Sequence, residues 1–285
     1  MNPKSLLVLL TGIFVFISCG KEESFEKKRA DIDDKGPLLV KVTMQPAGAT
    51  YTGVITLAYD NHKKLLNIKS KLEGEADESY IEQEIVYYRN SKGVIERLIQ
   101  IEDIYDEDGN FLLKESATLN LHFTGSGQYT HGIRTFSNST GERDSIIYTY
   151  NNKERIAQVK VLRKASNSNV YADEQVTGYT YDEKENISVM AIQFADYGVL
   201  NPPQTISFQY NDKLSPMNFG DEALLNGFIM DGFNSPHCLT GVSDIAEPDH
   251  SWNMSYEYND LNKPVKGVYN NPVTQEKMNY AYFYQ

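Results

Sequence analysis

The chain has 285 residues, 40% of them hydrophobic, and its 27 basic against 39 acidic side chains give a formal charge of −12. A negative field repels phosphate backbones, whose affinity for proteins comes from clustered Lys and Arg, so nucleic acid is not an expected partner. With only two cysteines, one of them committed to other chemistry below, a small disulfide-stapled fold is excluded and stability must come from a buried core.

The first element is a leader. Lys4 is followed by an apolar run from Leu6 to Ile17, then small Ser18 and Cys19, the pattern of a secretory signal with its cleavage site. The run is about a dozen residues where roughly 20 are needed to span a bilayer, which disfavours a retained transmembrane helix. Phe16-Ile17-Ser18-Cys19 resembles the lipobox of bacterial lipoproteins, with Phe16 where leucine is more usual. The resemblance implies that residues 1–18 are removed and that Cys19 becomes the lipidated first residue. The mature chain then holds 26 basic and 39 acidic side chains, a formal charge of −13. Three acyl chains on one cysteine anchor far more strongly than a single chain, because each buried methylene adds about 0.8 kcal/mol. Membrane contact through this anchor needs no protein surface.

Residues 19–36 form an acidic tether with little apolar matter to bury, the composition of a disordered segment. Within it Lys21, Glu22 and Glu23 resemble the surface-export tag of Bacteroidota lipoproteins, which implies an outer-membrane protein facing the cell exterior.

From residue 37 to 285 the chain reads as one repeat-built β domain. An aromatic or apolar residue, a spacer and a tyrosine precede Asn or Asp, turn formers, and an apolar residue six positions after the tyrosine. Leu57-Ala58-Tyr59-Asp60 leads to Leu65, and Tyr87-Tyr88-Arg89 to Val94. Tyr105-Asp106 leads to Phe111, Tyr148-Thr149-Tyr150-Asn151 to Ile156, and Tyr179-Thr180-Tyr181-Asp182 to Ile187. Phe208-Gln209-Tyr210-Asn211 and Tyr256-Glu257-Tyr258-Asn259 follow, and Tyr280-Ala281-Tyr282 ends the series; Arg89 alone breaks the Asx rule.

Tyr-x-Tyr places two rings on one face of a pleated strand, and Asx starts a turn by bonding its own backbone. In the return strands, Ala157, Val159 and Val161 alternate with Gln158 and Lys160, and the apolar stretch Ile187 to Phe194 predicts burial on both faces. Roughly seven hairpins, about 14 antiparallel strands, must twist, which predicts an all-β meander forming a strongly curved sheet or incomplete barrel.

These repeats resemble the YD repeats of large shell-forming bacterial toxins and, more closely, functionally uncharacterised Bacteroidota lipoproteins with a porin-like β fold. The resemblance covers residues 40–285 and implies no enzymatic activity. The outward parity here carries Lys, Glu, Gln and Asn, unlike the lipid-facing band of a membrane barrel.

One insertion, at about 219–250, breaks the rhythm. Phe219 to Phe233, with Asp221 and Glu222 ahead of Ala223, Leu224, Leu225, Phe228 and Ile229, predicts a short helix, followed by a loop from Asn234 to Pro248. It reads as a cap over the core.

Catalytic constellations are lacking. His62, His122, His131, His237 and His250 have no metal-ligand spacing, so neither a metal nor a cofactor is expected. Asp106 to Asn110 reads as a hairpin turn rather than a calcium loop, because Gly109 is misplaced for an EF-hand. Cys238 reads as a buried small hydrophobe that neighbouring His237 cannot serve as base. Asp144-Ser145-Ile146 resembles an O-glycosylation acceptor of the same bacterial group, at Ser145.

Two functions of different class remain. One is a non-catalytic binding or scaffold lipoprotein meeting a glycan or partner protein through a concave tyrosine face made by Tyr148, Tyr150, Tyr179, Tyr181, Tyr256 and Tyr258. The other is a polysaccharide hydrolase with a site assembled from distant residues, which a pocket holding two carboxylates of raised pKa favours.

Overall fold

The computed structural model describes residues 36–73, 79–226 and 234–285. Its strands are β1 (Leu39–Pro46), β2 (Thr52–Tyr59), β3 (Leu65–Glu73), β4 (Tyr80–Arg89), β5 (Ile95–Tyr105) and β6 (Phe111–Phe123). Then come β7 (Tyr129–Phe136), β8 (Arg143–Tyr150), β9 (Ile156–Lys164), β10 (Ala172–Tyr181), β11 (Ile187–Asp196) and β12 (Val199–Leu200). The last are β13 (Gln204–Leu214), β14 (His237–Asp244), β15 (Trp252–Tyr258), β16 (Pro264–Asn270) and β17 (Lys277–Tyr284).

All 17 strands belong to one sheet, every pairing is antiparallel, and β12 pairs only with the end of β11. The other strands follow in chain order around a ring that closes where β17 pairs with β1, Tyr282 opposite Val42 and Tyr280 opposite Met44. Reciprocal bonds of 2.9 Å between Leu38 and Gln285 seal the seam. The expected open or incomplete barrel of about 14 strands is therefore corrected: the barrel is complete, and closure removes the unpaired edges that a wide sheet otherwise exposes.

Strands alternate in direction, so the connections fall on two rims. The Tyr-x-Tyr-Asx turns lie on one, called here the turn rim, where β1 also begins and β17 ends. In the five that close hairpins, the Asx side chain accepts the amides two and four residues on: Asp60 from His62 and Lys64 at 2.8 Å, Asp182 from Lys184 at 2.9 Å and Asn186 at 2.8 Å; Asn211 accepts only the Lys213 amide, and β13 runs on to Leu214. Asn90, Asn151 and Asn259 repeat the pattern. The residue three after Asx takes positive φ, with Lys63, Glu154, Glu185 and Asn262 between 55° and 65° and glycine at Gly93. The residue five after Asx then starts the return strand fully buried, as Leu65, Ile95, Ile156 and Ile187 do.

This register refines the repeat. Arg89 occupies the slot of the second tyrosine, with Tyr87 in the first and Asn90 as Asx, so the unit is Tyr87-x-Arg89-Asn90 and its buried residue is Ile95, not Val94. Leu121-His122-Phe123-Thr124 is a further unit without tyrosine, Thr124 Oγ1 accepting the Gln128 amide at 3.2 Å. The Asp106 turn is built the same way but sits on the opposite rim, between β5 and β6.

In three units the tyrosine next to Asx, and at the end of β17 Tyr284, ties neighbouring hairpins together. The hydroxyl donates to the carbonyl that opens the strand just before its own around the ring: Tyr181 to Ile156 at 2.7 Å, Tyr210 to Ile187 at 2.8 Å, Tyr59 to Leu39 at 2.8 Å and Tyr284 to Pro264 at 2.8 Å. These carbonyls lie at strand ends and irregularities where ladder partners run out.

The inward face supplies one hydrophobic core drawn from strands all round the ring. Alternation holds in β9, with Val159 and Val161 buried and Gln158 exposed. In β11, by contrast, Val189 and Ala191 face outward half-exposed, so that strand is not buried on both faces. The insertion is also corrected. Gly220–Leu224 is a short 3-10 turn, residues 227–233 of the expected helix lie outside the described residues, and the expected loop after Asn234 contains β14. Met217, Phe219, Ala223, Leu224 and Leu225 are all buried, so their spacing reflects immersion in the core rather than one amphipathic face.

Tyr181→Phe keeps the ring and leaves the Ile156 carbonyl without its donor. Denaturant unfolding should show a loss of about 1–2 kcal/mol with unchanged m-value.

Candidate functional site

The barrel's interior is a packed core rather than a lumen. Sixteen strands in a lipid-embedded porin leave a water-filled channel. Here inward tyrosines and the insertion fill that space, with Tyr87, Tyr148, Tyr179, Tyr280 and Tyr282 buried. A cavity of about 10 Å³ beside Gln100, Arg134, Glu222 and Asn226 has room for one water molecule.

The insertion is clamped by arginines projecting from the wall. Arg89 donates from Nη1 and Nη2 to the two Glu222 carboxylate oxygens at 3.2 Å each. Arg155 Nε donates to Asp221 Oδ1 at 2.7 Å, and the Ile156 amide donates to Asp221 Oδ2 at 2.9 Å. The Arg155 guanidinium also lies 4.5 Å from the centre of the Tyr181 ring. Deeper inside, Arg134 on β7 donates through Nε to Asp144 Oδ2 at 2.9 Å and through Nη1 to the Asn226 carbonyl at 2.8 Å. Arg163 on β9 approaches the same Asp144 at 2.9 Å. Burial pulls the Arg134 guanidinium below arginine's usual pKa, against the opposing attraction of Asp144. Asn226 continues the polar chain to Gln100 at 2.9 Å, and Gln100 to Glu102 at 2.7 Å.

The sequence-predicted residues fall into three groups. Cys19, Lys21, Glu22 and Glu23 lie outside the described residues. The six tyrosines expected on a concave binding face instead point into the packed interior. Tyr148 is buried and donates to the Leu225 carbonyl, and Tyr179 is buried beside it. Tyr150, Tyr181 and Tyr256 are half-buried against the core and Tyr258 is half-buried beside Tyr256; Tyr256 donates to the Leu239 carbonyl and Tyr258 accepts from Asn211, both at 2.7 Å. Ring closure turned the concave face into a core, so these rings present no open platform to a ligand. Ser145 sits half-buried on β8 with outward parity, between Ile133 and Leu162.

His122 and His131 form a stacked cross-strand pair on the outer face, ring centres 4.3 Å apart. No group of three or more His, Cys, Asp or Glu able to hold a metal occurs among the described residues. His237 shares a 3.0 Å hydrogen bond with Asn186 and does not face a thiolate. Cys238 is buried, donates to the Leu214 carbonyl at 3.4 Å, and burial pushes its thiol pKa up to about 12. Glu82 is a carboxylate with a pKa raised by burial, but it lies on the outer face opposite Asp103, between lysines, and not in a cavity. The two-carboxylate pocket that would favour a hydrolase is not formed by the described residues.

The outer wall is polar. Lys69–Glu84 at 3.1 Å, Lys160–Asp173 at 2.7 Å and Lys266–Glu257 at 2.9 Å bridge neighbouring strands, among Lys41, Arg97, Asn120, Gln209, Asn253 and Asn279. A lipid-embedded barrel carries an apolar band outside and polar groups inside, so the polarity of this wall is reversed. Among the described residues, no helix is long and apolar enough to cross a membrane.

No family model matches the chain, and no curated protein matches it. Among solved structures it is similar to a porin-like protein from Bacteroides uniformis ATCC 8492, at 11% identity and TM-score 0.53 over 87% of this chain and 98% of that one. A porin-like protein from Bacteroides vulgatus ATCC 8482 aligns over 88% of this chain and 99% of its own at 12% identity and TM-score 0.44. At such identities the likeness concerns architecture: this chain has a porin-like β fold.

The arginine clamps escaped the sequence reading, although Arg89 was visible as the break in the Asx rule. Asp144→Ala strands the buried Arg134 charge and should cost about 3–5 kcal/mol in denaturant unfolding. Cys238 should resist a thiol reagent at pH 8 in the folded protein and react completely once denatured.

Proposed function

We propose that this chain is a lipid-anchored, non-catalytic binding or scaffold module of the outer membrane, facing the cell exterior, with a glycan or a partner protein as its ligand. The observation that carries the reading is the filled interior. Among the described residues tyrosines and a clamped insertion pack the interior, and the cavity beside Arg134 has room for one water molecule, so contact with a ligand falls to the outer surface.

The polar wall supports an anchor instead of a lipid-facing band. Acyl chains on Cys19 supply membrane attachment without any apolar wall, and Lys21, Glu22 and Glu23 supply the export tag. A porin-like β fold is compatible with an outer-membrane location. Leu39 begins β1 at the turn rim, so on this reading the tether joins the barrel at that rim. Ser145, on an outward-facing strand position, is the proposed O-glycan acceptor.

Protease shaving of intact cells tests the reading. The wild-type chain should be degraded from outside, whereas a variant with Lys21, Glu22 and Glu23 changed to alanine should be protected. Equal protection of both removes the surface assignment. Cys19→Ala should move the protein from the membrane to the soluble fraction, and retention in the membrane removes the anchor.

A further inference from the structure

The two rims differ in chemistry, and the difference points to a partner. On the rim opposite the chain ends, the described loops between β1 and β2, β5 and β6, β7 and β8, β9 and β10, β11 and β13, β14 and β15, and β16 and β17 hold seven carboxylates: Asp106, Glu107, Asp108, Glu142, Glu247, Asp249 and Glu276. They hold no lysine or arginine; Arg143, Lys164 and Lys277 stand only at the adjoining strand ends. The six described hairpin loops of the turn rim (60–64, 90–94, 124–128, 151–155, 182–186 and 259–263) carry seven lysines and arginines against six carboxylates.

Exposed apolar side chains divide the same way. Far-rim loops display Tyr197, fully exposed at 100%, Ile245 at 84%, Val170 at 72% and Val199 at 71%, with Phe111 of β6 also at that end. In the described turn-rim loops Leu261 is the large apolar side chain exposed to this degree. The tip carrying Tyr197 and Val199 folds against the start of β10, where a Cβ on Gly198 would stand 3.3 Å from that of Ala172, two residues on from Val170 in the chain.

Tyr197 is also an exception to turn chemistry. Asp196 pairs with Val199 around a two-residue loop in which Tyr197 has φ +51° and Gly198 φ +79°. Such a loop favours Asn or Asp at its first position, and an aromatic residue there is strained. Nothing in the core gains from it, because the ring is wholly in solvent. Strain held at an exposed aromatic is a mark of contact sites, where Tyr is enriched as a rigid anchor.

We infer that the far rim is a docking surface for a partner protein whose contact face is basic and studded with apolar side chains, with Tyr197, Val199 and Val170 as its anchor. The charge complement selects a basic protein over an anionic lipid surface or a second copy of this chain, whose own turn rim is nearly balanced. This deepens the proposed binding role by naming the class of partner.

The test uses the full chain with Cys19→Ala as the common background, which carries no acyl anchor and needs no detergent, and three probes: a synthetic amphipathic lysine–leucine peptide, its glutamate–leucine counterpart, and anionic phospholipid vesicles. The expected result is binding of the lysine–leucine peptide alone, weakening as salt rises and at least about tenfold weaker in Tyr197→Asn. Because asparagine suits the turn, Tyr197→Asn should unfold at the same or a higher temperature, so lost binding cannot be lost folding. Leu261→Ser on the other rim should change nothing. Equal binding by wild type and Tyr197→Asn, an equal loss in Leu261→Ser, or preference for the acidic peptide or the vesicles each overturns the inference. The measurement does not depend on where the protein sits in the cell, so its failure is distinguishable from failure of the shaving experiment.

Discussion

The barrel depends on hydrogen bonds by which several of its units tie to the neighbouring hairpin. A hairpin alone is marginal in water, and a ladder of hairpins has irregular ends wherever a turn interrupts pairing. The tyrosine hydroxyl supplies the donor at those ends, reaching from Tyr181 to Ile156 and from Tyr210 to Ile187. The same ring packs against the core, so one side chain fills volume and satisfies a backbone carbonyl. That double duty explains why a chain of this length spends so many tyrosines on its inner face, and why they are not free for recognition.

Filling the ring has a second consequence. A porin-like architecture is usually read as a conduit, yet here the apolar side faces in and the charged side faces out. The insertion completes the reversal by carrying apolar residues into the ring and holding them with Arg89 and Arg155, whose charges are met by Glu222 and Asp221 at the turn rim. A buried ion pair is costly to form and costlier to break, so these clamps fix the position of the insertion more than they add stability. Recognition is left to the loops, and the loops at the two ends have diverged in charge and apolar content.

The turn chemistry was legible from sequence because Asx acts locally: Asp60, Asn151, Asp182 and Asn259 all do what their spacing indicates. Units whose tyrosines were replaced were missed or misplaced. Phe123-Thr124 carries the same turn with a hydroxyl in place of an amide or carboxylate, and Arg89 shifted its unit by one position because it serves the insertion. Tyr105-Asp106 matched the pattern but lies on the other rim, since strand polarity is not written in a four-residue motif. Closure was beyond sequence reading, because the pairing of β1 with β17 joins residues from opposite ends of the domain. The helical spacing of Ala223, Leu224 and Leu225 misled for a related reason: Asp221 and Glu222 are fixed by distant arginines, and tertiary clamps outweigh local propensity. The site suffered most, since a concave face of tyrosines disappears once the ring is complete.

The seam between β1 and β17 also decides how the molecule answers tension. Strand β1 is bonded on both sides, to β17 and to β2, and Leu38 ahead of it continues the pairing with Gln285. A pull transmitted between the leading end of the chain and the opposite rim therefore loads two ladders in shear, so many hydrogen bonds share the force at once instead of peeling open singly. A hairpin at the same place would unzip from its turn; this seam grips.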